Sequence, residues 1–325
     1  MISRMQVVAT LALALWTPAW AHHGGASLSQ GAGTPIETNT PLTLPQGTTI
    51  VFTRAELVSF KKFAEFEPNN TDSFRFYQVG VSHGLTDFLS VTAILPYNVK
   101  TQDNNGTFRG FGDGKVLVNL GLHYTPGEGV DVNGPEDVAV NLTETDKLYF
   151  GFYGGLSMPS GNNKIDLGAG IEPGLQPGFG SVNYTLGTSV IKSVSKHLTL
   201  AADVGYDVFT SFSNSGDKFG NEFRANLAGV YRLHSDDEAF IRQLDGVLEL
   251  NYLQISRDET DGQPDTGTGG KILYVSPGVR FQAGGMNFGI LAKLPVWHKL
   301  NEASLQQGSE GLEHVRLIFT ASRAF

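Results

Sequence analysis

The sequence predicts an all-β protein, an antiparallel transmembrane β-barrel of about twelve strands, an even number as in bacterial outer-membrane barrels. Two patterns predict this fold class. Stretches in which every second residue is apolar recur along most of the chain, and the connections between them are alternately short and long. The last stretch, His314–Phe325, is amphipathic and ends on an aromatic residue. A closed barrel suits such strands because every backbone group in a bilayer must be hydrogen-bonded within the wall.

The composition agrees with a barrel. The 325 residues include 40 glycines, only 17% are charged, and the mean hydropathy is -0.10. Barrel strands alternate in polarity, so their mean hydropathy stays near neutral. The net charge of -9, with no basic stripe, disfavours a nucleic-acid partner. The chain has no cysteine, so no disulfide framework is expected.

Residues 1–21 have the three parts of a secretory signal peptide. Arg4 supplies the positive start, Val7–Leu15 is a short apolar core, and Ala19–Ala21 is a small-x-small cleavage site. The apolar core is too short for a spanning helix. We therefore expect export through a cleaved signal peptide and location in the cell outer membrane.

Residues 22–48 are rich in glycine, proline, threonine and serine and show no periodicity. This composition predicts a flexible periplasmic leader. After cleavage, His22 and His23 would begin the mature chain, where a free α-amine beside an imidazole can chelate Cu(II) or Ni(II). His22 and His23 are thus a candidate transition-metal site, although an unstructured polar leader is the interpretation that the composition favours. No cofactor is expected elsewhere.

The barrel is predicted to occupy residues 49–325. Twelve strands are placed by their alternation at residues 49–60, 74–84, 87–98, 114–125, 146–158, 180–194, 197–211, 219–233, 244–256, 271–282, 285–298 and 313–325.

The lengths of the connections test this count. Barrels have short turns on the periplasmic side and long loops outside. Tight turns follow even-numbered strands at Gly84–Asp87, Val194–His197 and Ala283–Gly285, whereas long polar segments follow most odd-numbered strands. The connection Thr125–Thr145 breaks the rule, so a miscounted strand is expected there if anywhere.

Alternation also predicts which charged and histidine side chains point into the lumen. Both signs are present, which predicts a polar lumen braced by ion pairs, with weak charge selection. The predicted lumen-lining residues are Arg54, Glu56, Lys115, His123, Asp203, Asp207, Glu222, Arg224, Arg232, Glu249, Arg280, Lys293 and Arg316.

Pro96, Pro159 and Pro295 stand near the predicted outer ends of three strands. Proline removes a donor from the strand ladder, so it belongs at a strand end or an irregular edge. These prolines either shape a pore mouth or a lateral opening, or merely end the strands. The second interpretation is the one that the pattern favours.

Asp258, Asp261 and Asp265, with Gly262, suggest an oxygen-rich calcium loop. Their spacing lacks the alternate-residue pattern and the final glutamate of an EF-hand. The sequence therefore favours a solvated outer loop at this position.

Catalytic motifs are weak. The chain has no Gly-x-Ser-x-Gly nucleophile elbow, and its charged residues need no catalytic role if they line a lumen. We therefore expect no enzymatic activity. The alternative, an outer-membrane lipid-acting enzyme, would require a serine or threonine nucleophile beside a rim histidine, with His123 and His314 as the first candidates.

Four short motifs carry a family resemblance: Ala21-His-His-Gly24, Phe111-Gly-Asp-Gly114, Leu156-Ser-Met-Pro-Ser-Gly161, and the Leu-Pro pairs near two strand ends. In these the chain resembles the outer-membrane proteins encoded in phenol and aromatic meta-cleavage pathways. The resemblance implies a channel-like, transporter barrel for small compounds, hydrophobic and aromatic ones included. It implies outer-membrane lipid, the barrel assembly machinery and a small-molecule cargo as partners. By resemblance to outer-membrane barrels generally, Phe325 is the expected assembly signal.

Overall fold

A computed structural model describes residues 31, 33–62, 71–137, 145–167, 173–210, 217–301 and 313–325. The predicted signal peptide and the candidate metal ligands His22 and His23 lie outside these residues, so they remain predictions.

The described residues form sixteen strands and two short 3-10 helices, Pro135–Asp137 and Pro173–Leu175. The strands are β1 (Thr49–Phe60), β2 (Thr71–Thr86), β3 (Leu89–Gln102), β4 (Gly106–Phe111), β5 (Gly114–Thr125), β6 (Gly129–Val132), β7 (Leu148–Met158), β8 (Asn183–Ser193), β9 (Leu198–Phe209), β10 (Glu222–Ser235), β11 (Ile241–Ile255), β12 (Glu259–Thr260), β13 (Gln263–Pro264), β14 (Gly270–Ala283), β15 (Met286–Leu300) and β16 (Glu313–Ala324).

Twelve of these strands close into one antiparallel barrel. Their order is β1-β2-β3-β5-β7-β8-β9-β10-β11-β14-β15-β16, and β16 pairs with β1 from Ala324 opposite Ile50 to Glu313 opposite Phe60. The predicted fold class and strand number are therefore confirmed. Predicted and observed strand ends differ by at most four residues. The short turns, the beginning of β1 and the end of β16 lie at one end of the barrel, the short-turn end, and the longer connections, except the one after β5, lie at the other, the long-loop end.

The wall has one apolar and one polar face, as alternation requires. On β2, Tyr77, Val79 and Val81 are exposed on the outer surface, while Gln78 and Ser82 are buried inside. The outer face thus presents the apolar band that a lipid environment needs. In the part of the chain that the structure describes, no helix has the length and apolar character needed to cross a membrane.

The long connection after β5 contains a hairpin and not a further barrel strand among its described residues. β6 folds back on the end of β5, with Val132 opposite Leu122. The 3-10 helix that follows brings Asp137 over the short-turn end of the barrel. This hairpin explains why the connection is long on the side where the other turns are short.

Asp137 ties this hairpin to the wall. Its carboxylate accepts hydrogen bonds from Lys147 Nζ at 2.8 Å, Tyr149 Oη at 3.0 Å and the Gly134 N–H at 2.9 Å, and His123 Nδ1 lies 3.2 Å from it. Burial acts to raise the pKa of Asp137, but the Gly134 N–H and then the two side-chain donors outweigh it, so the pKa lies below its usual range.

Residues 33–48, which we call the N-terminal plug, lie inside the barrel except for Gln46 and Gly47, which are exposed at the short-turn end. Ile36, Thr38 and Thr43 are fully buried. Ile36 packs in a buried apolar cluster on the inner wall, and Leu42 packs in a second one. The expectation of a flexible periplasmic leader therefore does not hold for residues 33–48: Glu37 is their only charge, and their apolar side chains have a lumen in which to be buried.

A second segment, residues 173–182, which we call the loop insert, fills the long-loop end. Leu175 is buried among apolar residues of β1 and β2. Lys100 Nζ donates to the carbonyls of Gly174 at 2.6 Å and Gln176 at 2.9 Å, and Asn98 Nδ2 donates to the carbonyl of Pro177 at 2.7 Å. Both halves of the lumen are thus occupied by chain that does not belong to the wall.

The prolines do not all end strands as predicted. Only Pro159 follows a strand directly, whereas Pro96 lies within β3 and Pro295 within β15. At Pro96, β3 changes its neighbour from β5 to β4. Pro295 comes two residues after Lys293, the last residue of the β15–β16 register. Because proline has no N–H, these two residues end ladders and leave the strands intact.

Candidate functional site

A chamber lies inside the barrel against the loop insert, and it shares wall residues with a smaller cavity beside the N-terminal plug. Its volume is about 80 Å3, and its walls come from β2, β3, β5, β7, β8, β9 and β10. Phe76, Phe179 and Phe209 contribute ring surfaces, and Lys115 and Arg224 contribute positive charge. Two smaller cavities of about 20 Å3 each also touch Arg224 and run down beside the plug. This chamber is the candidate functional site.

Three of the predicted lumen residues, Lys115, Asp207 and Arg224, line the chamber, and a fourth, Glu222, pairs with one of them. Asp207 lies 2.8 Å from Arg224 Nη1 and 3.4 Å from Lys115 Nζ, and it also accepts a hydrogen bond from Thr185 Oγ1. Arg224 forms a second ion pair with Glu222. Because two cations face two carboxylates here, neither sign dominates at this part of the wall.

A second network joins the plug to the opposite wall. Glu37 of the plug pairs with Arg54 on β1 and lies 2.9 Å from Lys293 Nζ on β15. Glu56 bridges Arg54 at 2.7 Å and Arg316 at 2.8 Å. All five side chains are nearly inaccessible to solvent. Removing one partner from such a network leaves another charge buried and unpaired, which is costly.

Glu249 on β11 forms the densest contact with the plug. Its carboxylate accepts the backbone N–H groups of Ile36 at 2.7 Å, Glu37 at 3.0 Å and Thr38 at 2.8 Å, as well as the Thr38 hydroxyl at 2.6 Å. Charge-assisted hydrogen bonds of this kind are about twice as strong as neutral ones. Glu249 therefore fixes the course of the plug backbone across the lumen.

Asp203 on β9 holds the next part of the plug. It accepts the backbone N–H of Asn39 at 3.0 Å, Asn226 Nδ2 at 2.9 Å and the Tyr153 hydroxyl at 3.0 Å. On β5, Asn119 Nδ2 lies within hydrogen-bond distance of the carbonyls of plug residues 40 and 42. The plug is thus bound by wall residues on several sides.

The beginning of the plug lies near the short-turn end. The N–H of Gly33 donates to Asp245 Oδ2 at 3.0 Å, and Arg280 donates to the carbonyl of Pro35. Arg232 is half-buried beside Gly33. These networks together place every predicted lumen residue on the inner side of the wall, where most of them contact either the plug or one another.

Two of the motifs that carry the family resemblance meet at the long-loop end. Asp113 accepts the N–H of Gly161 at 2.8 Å and that of Phe179 at 2.7 Å. Ser160 Oγ accepts the N–H of Gly114 at 2.9 Å. Burial raises the pKa of Asp113 despite these backbone donors. The Phe-Gly-Asp-Gly turn therefore anchors both the Ser-Met-Pro-Ser-Gly segment and the loop insert.

Sequence reasoning missed Glu37, Lys100, Asp113 and Tyr153. Glu37 stands in an aperiodic stretch, and its one available signal was its isolation as the only charge among residues 33–48. Lys100 was placed in a connection, but β3 continues to Gln102. Asp113 and Tyr153 act through contacts with distant segments, for which alternation offers no signal.

The size of the chamber limits what it can hold. A cavity of roughly 150 Å3 in another protein admits benzene. The chamber, at about 80 Å3, is smaller. A small aromatic molecule therefore enters only if the plug or the loop insert moves.

Comparison with known proteins agrees with this architecture. A family model described as "Putative MetA-pathway of phenol degradation" matches residues 137–309. No curated protein sequence matches the chain.

Among solved structures, an outer membrane channel from Pseudomonas putida F1 is similar over 89% of this chain and 100% of its own, with a TM-score of 0.64 and 14% identity. The beta domain of the Bordetella autotransporter Brka gives a TM-score of 0.46 at 10% identity, covering 86% of this chain and 100% of its own. A mutant of the monoaromatic hydrocarbon channel TodX gives 0.41 at 11% identity, covering 92% and 98%. The first of these similarities shows the fold of an outer-membrane barrel.

Proposed function

The chain belongs to the MetA-pathway phenol-degradation family, and from this premise we propose that it is an outer-membrane channel for small solutes, hydrophobic and aromatic ones included. The observation that carries the proposal is the chamber, which lies inside the barrel against the loop insert and shares Lys115, Asp207 and Arg224 with a smaller cavity beside the plug. A lumen closed by the plug and the loop insert, which are not part of the wall, can open without breaking a strand ladder.

The lining of the chamber supports an aromatic cargo with a polar substituent. Phe76, Phe179 and Phe209 offer ring faces, which pair well with other rings. Lys115 and Arg224 offer donors to a hydroxyl or carboxylate. The family description names phenol degradation, and phenol has both an aromatic ring and a hydroxyl group.

We further propose that the chain reaches the outer membrane after cleavage of residues 1–21. The short-turn end would then face the periplasm, as in other barrels. The apolar outer surface would contact outer-membrane lipid, and the assembly machinery would insert the barrel.

Conductance and uptake test the channel. We expect the full-length barrel in planar bilayers to conduct rarely, because plug and insert fill the lumen, and a variant lacking residues 34–46 to conduct more often, because only the loop insert then closes the lumen. A strain lacking the gene should take up labelled phenol more slowly, and the wild-type gene should restore the rate. If both barrels stay sealed and uptake of every small solute tried is unchanged, the proposal fails.

The proposed function involves no catalysis. His123 contacts Asp137 and Tyr149, which is a structural role at the short-turn end. His314 is exposed at the beginning of β16. Neither position supports the lipid-acting enzyme considered above, and lipid hydrolysis that depends on either histidine would count against a channel.

The metal-handling alternative rests on His22 and His23 alone. N-terminal sequencing of the mature protein tests it, because cleavage at any other bond would change the chelating group.

A further inference from the structure

A small hairpin projects from the long-loop end between β11 and β14. β12 pairs with β13, and the turn between them is formed by Asp261 and Gly262, whose φ angles are 51° and 73°. Asp258 and Asp265 flank the hairpin on its two sides, and the N–H of Asp265 donates to the carbonyl of Asp258 at 2.7 Å. The hairpin therefore brings these two aspartates together and leaves Asp261 exposed at its tip.

The structure does not match the solvated loop that the sequence favoured. Asp258 is 3% exposed and Asp265 is 6% exposed. One oxygen of each carboxylate has a donor: Asp258 Oδ1 accepts the N–H of Gly220 at 2.5 Å, and Asp265 Oδ1 accepts the N–H of Gly267 at 2.9 Å. The other oxygen of each, Oδ2, is buried without a hydrogen-bond partner.

Two adjacent buried carboxylates with free oxygens require a positive counterpart. Among the described residues no basic side chain forms an ion pair with either of them. Burial raises the pKa of Asp258 well above its usual range, and the charge of Asp265 adds to this effect. Either a proton or a cation must neutralise the pair.

We propose that Asp258 and Asp265 bind a calcium ion through their two Oδ2 atoms. Calcium accepts carboxylates, backbone carbonyls and water in flexible geometry, whereas magnesium demands a near-ideal octahedron. In the described ranges no group of three or more histidine, aspartate or glutamate side chains is placed so that it could hold a metal ion by itself. Carbonyls and water would therefore complete the shell, and the dissociation constant is expected at about 0.1–1 mM, as in extracellular calcium modules.

The ion would steady the link between the β11–β14 connection and the β9–β10 connection. Asp258 already holds Gly220 of the β9–β10 connection, and the neighbouring Phe219 packs on Phe179 of the loop insert, with ring centroids 5.0 Å apart. Bound calcium would thus steady the aromatic cluster above the chamber. This inference rests on the hairpin alone and does not depend on the cargo.

Calorimetry with calcium chloride as the only ligand tests the proposal. The full-length barrel, refolded in detergent and stripped with EDTA, should bind one calcium ion per chain. Asp258→Asn and Asp265→Asn should each weaken binding at least tenfold. Asp261→Asn is the matched control, because Asp261 is exposed on the same hairpin, and it should bind like the wild type. Heat-modifiable gel mobility confirms that each variant is folded.

Proteolysis gives a second readout. Arg257 is exposed beside Asp258, so trypsin can report on opening of the hairpin. Calcium at ten times its dissociation constant should slow this cleavage about tenfold in the wild type and not in the Asp258 variant. The proposal is overturned if calcium gives neither heat nor protection, or if Asp261→Asn abolishes both. It is also overturned if Asp258→Asn alone protects the hairpin without calcium, which would indicate a shared proton.

Discussion

At the scale of single residues, Tyr153 shows how tightly the wall is fitted to its contents. Its phenol end lies close against Gly187 on β8 and Gly205 on β9: a Cβ at Gly187 would lie 2.2 Å from Tyr153 Cζ, and one at Gly205 would lie 2.5 Å from the hydroxyl. Gly187→Ala should therefore displace the ring and its hydrogen bond to Asp203. We expect a loss of about 1–3 kcal/mol in the free energy of unfolding, the usual cost of overpacking. Urea unfolding of the refolded barrel measures it.

Gly229→Ala is the control for this substitution. Gly229 lies on β10, and a Cβ there would meet only Leu200 Cδ2 at 3.8 Å, an ordinary contact. The two variants should differ clearly in stability. Equal unfolding midpoints would contradict the close approach of Tyr153 to the wall.

At the scale of elements, the plug depends on Glu249 more than on any other wall residue described above. Glu249→Ala removes three backbone contacts and one side-chain contact of the plug. A hydrogen bond to a charged group is worth about 1.5–3 kcal/mol, so the loss of even one shifts an equilibrium by roughly tenfold. We expect open events in planar bilayers to become at least ten times more frequent, while the barrel stays folded.

Glu238→Ala is the matched control, because Glu238 is exposed in the turn between β10 and β11. It removes the same charge without touching the plug. If both variants open equally often, net charge and not the plug controls the lumen.

At the scale of the whole molecule, closure of the barrel ends at Phe325. Its N–H donates to the Thr49 carbonyl at 2.8 Å, and its carbonyl accepts the Thr49 N–H at 3.1 Å. Deleting Phe325 should lower the amount of folded barrel in the outer membrane several-fold, with little effect on the conductance of the molecules that do insert. Surface labelling and single-channel recording measure the two quantities.

Phe240→Ala provides the comparison for this deletion. Phe240 is 80% exposed in a turn at the same end of the barrel and takes no part in the seam. Normal assembly without Phe325, or equally poor assembly of Phe240→Ala, would contradict a special role for the last residue.

Alternation predicted the wall well because it reports a local fact, namely which face of a strand meets lipid. Arg54 and Arg316 could be assigned to the lumen from their neighbours in sequence alone. Contacts between distant segments have no such period. Asp113 acts on Gly161 and Phe179, and no spacing in the sequence links them.

The plug could not be predicted for a related reason. Glycine, proline and threonine at residues 33–48 lack periodicity, and the same composition occurs in flexible chains. What makes the segment ordered is the lumen itself, which supplies Glu249 and Asp203 as acceptors for backbone N–H groups. Asp258 and Asp265 are a similar case, because only the hairpin turn at Asp261 brings them together.

The route of the plug has a mechanical consequence. It begins beside Asp245 near the short-turn end, and it returns to that same rim, where the N–H of Gly47 donates to the Gly84 carbonyl at 2.9 Å before β1 starts. Because the plug begins and ends near the same end of the barrel, it forms a loop and does not run through the lumen from one end to the other. It can be lifted out, and put back, from one side of the membrane, while the ladders of the wall and the cluster of aromatic rings at the far rim stay as they are. The plug and the loop insert can therefore move separately. This gives the lumen one gate at the short-turn end and a second, independent gate at the long-loop end.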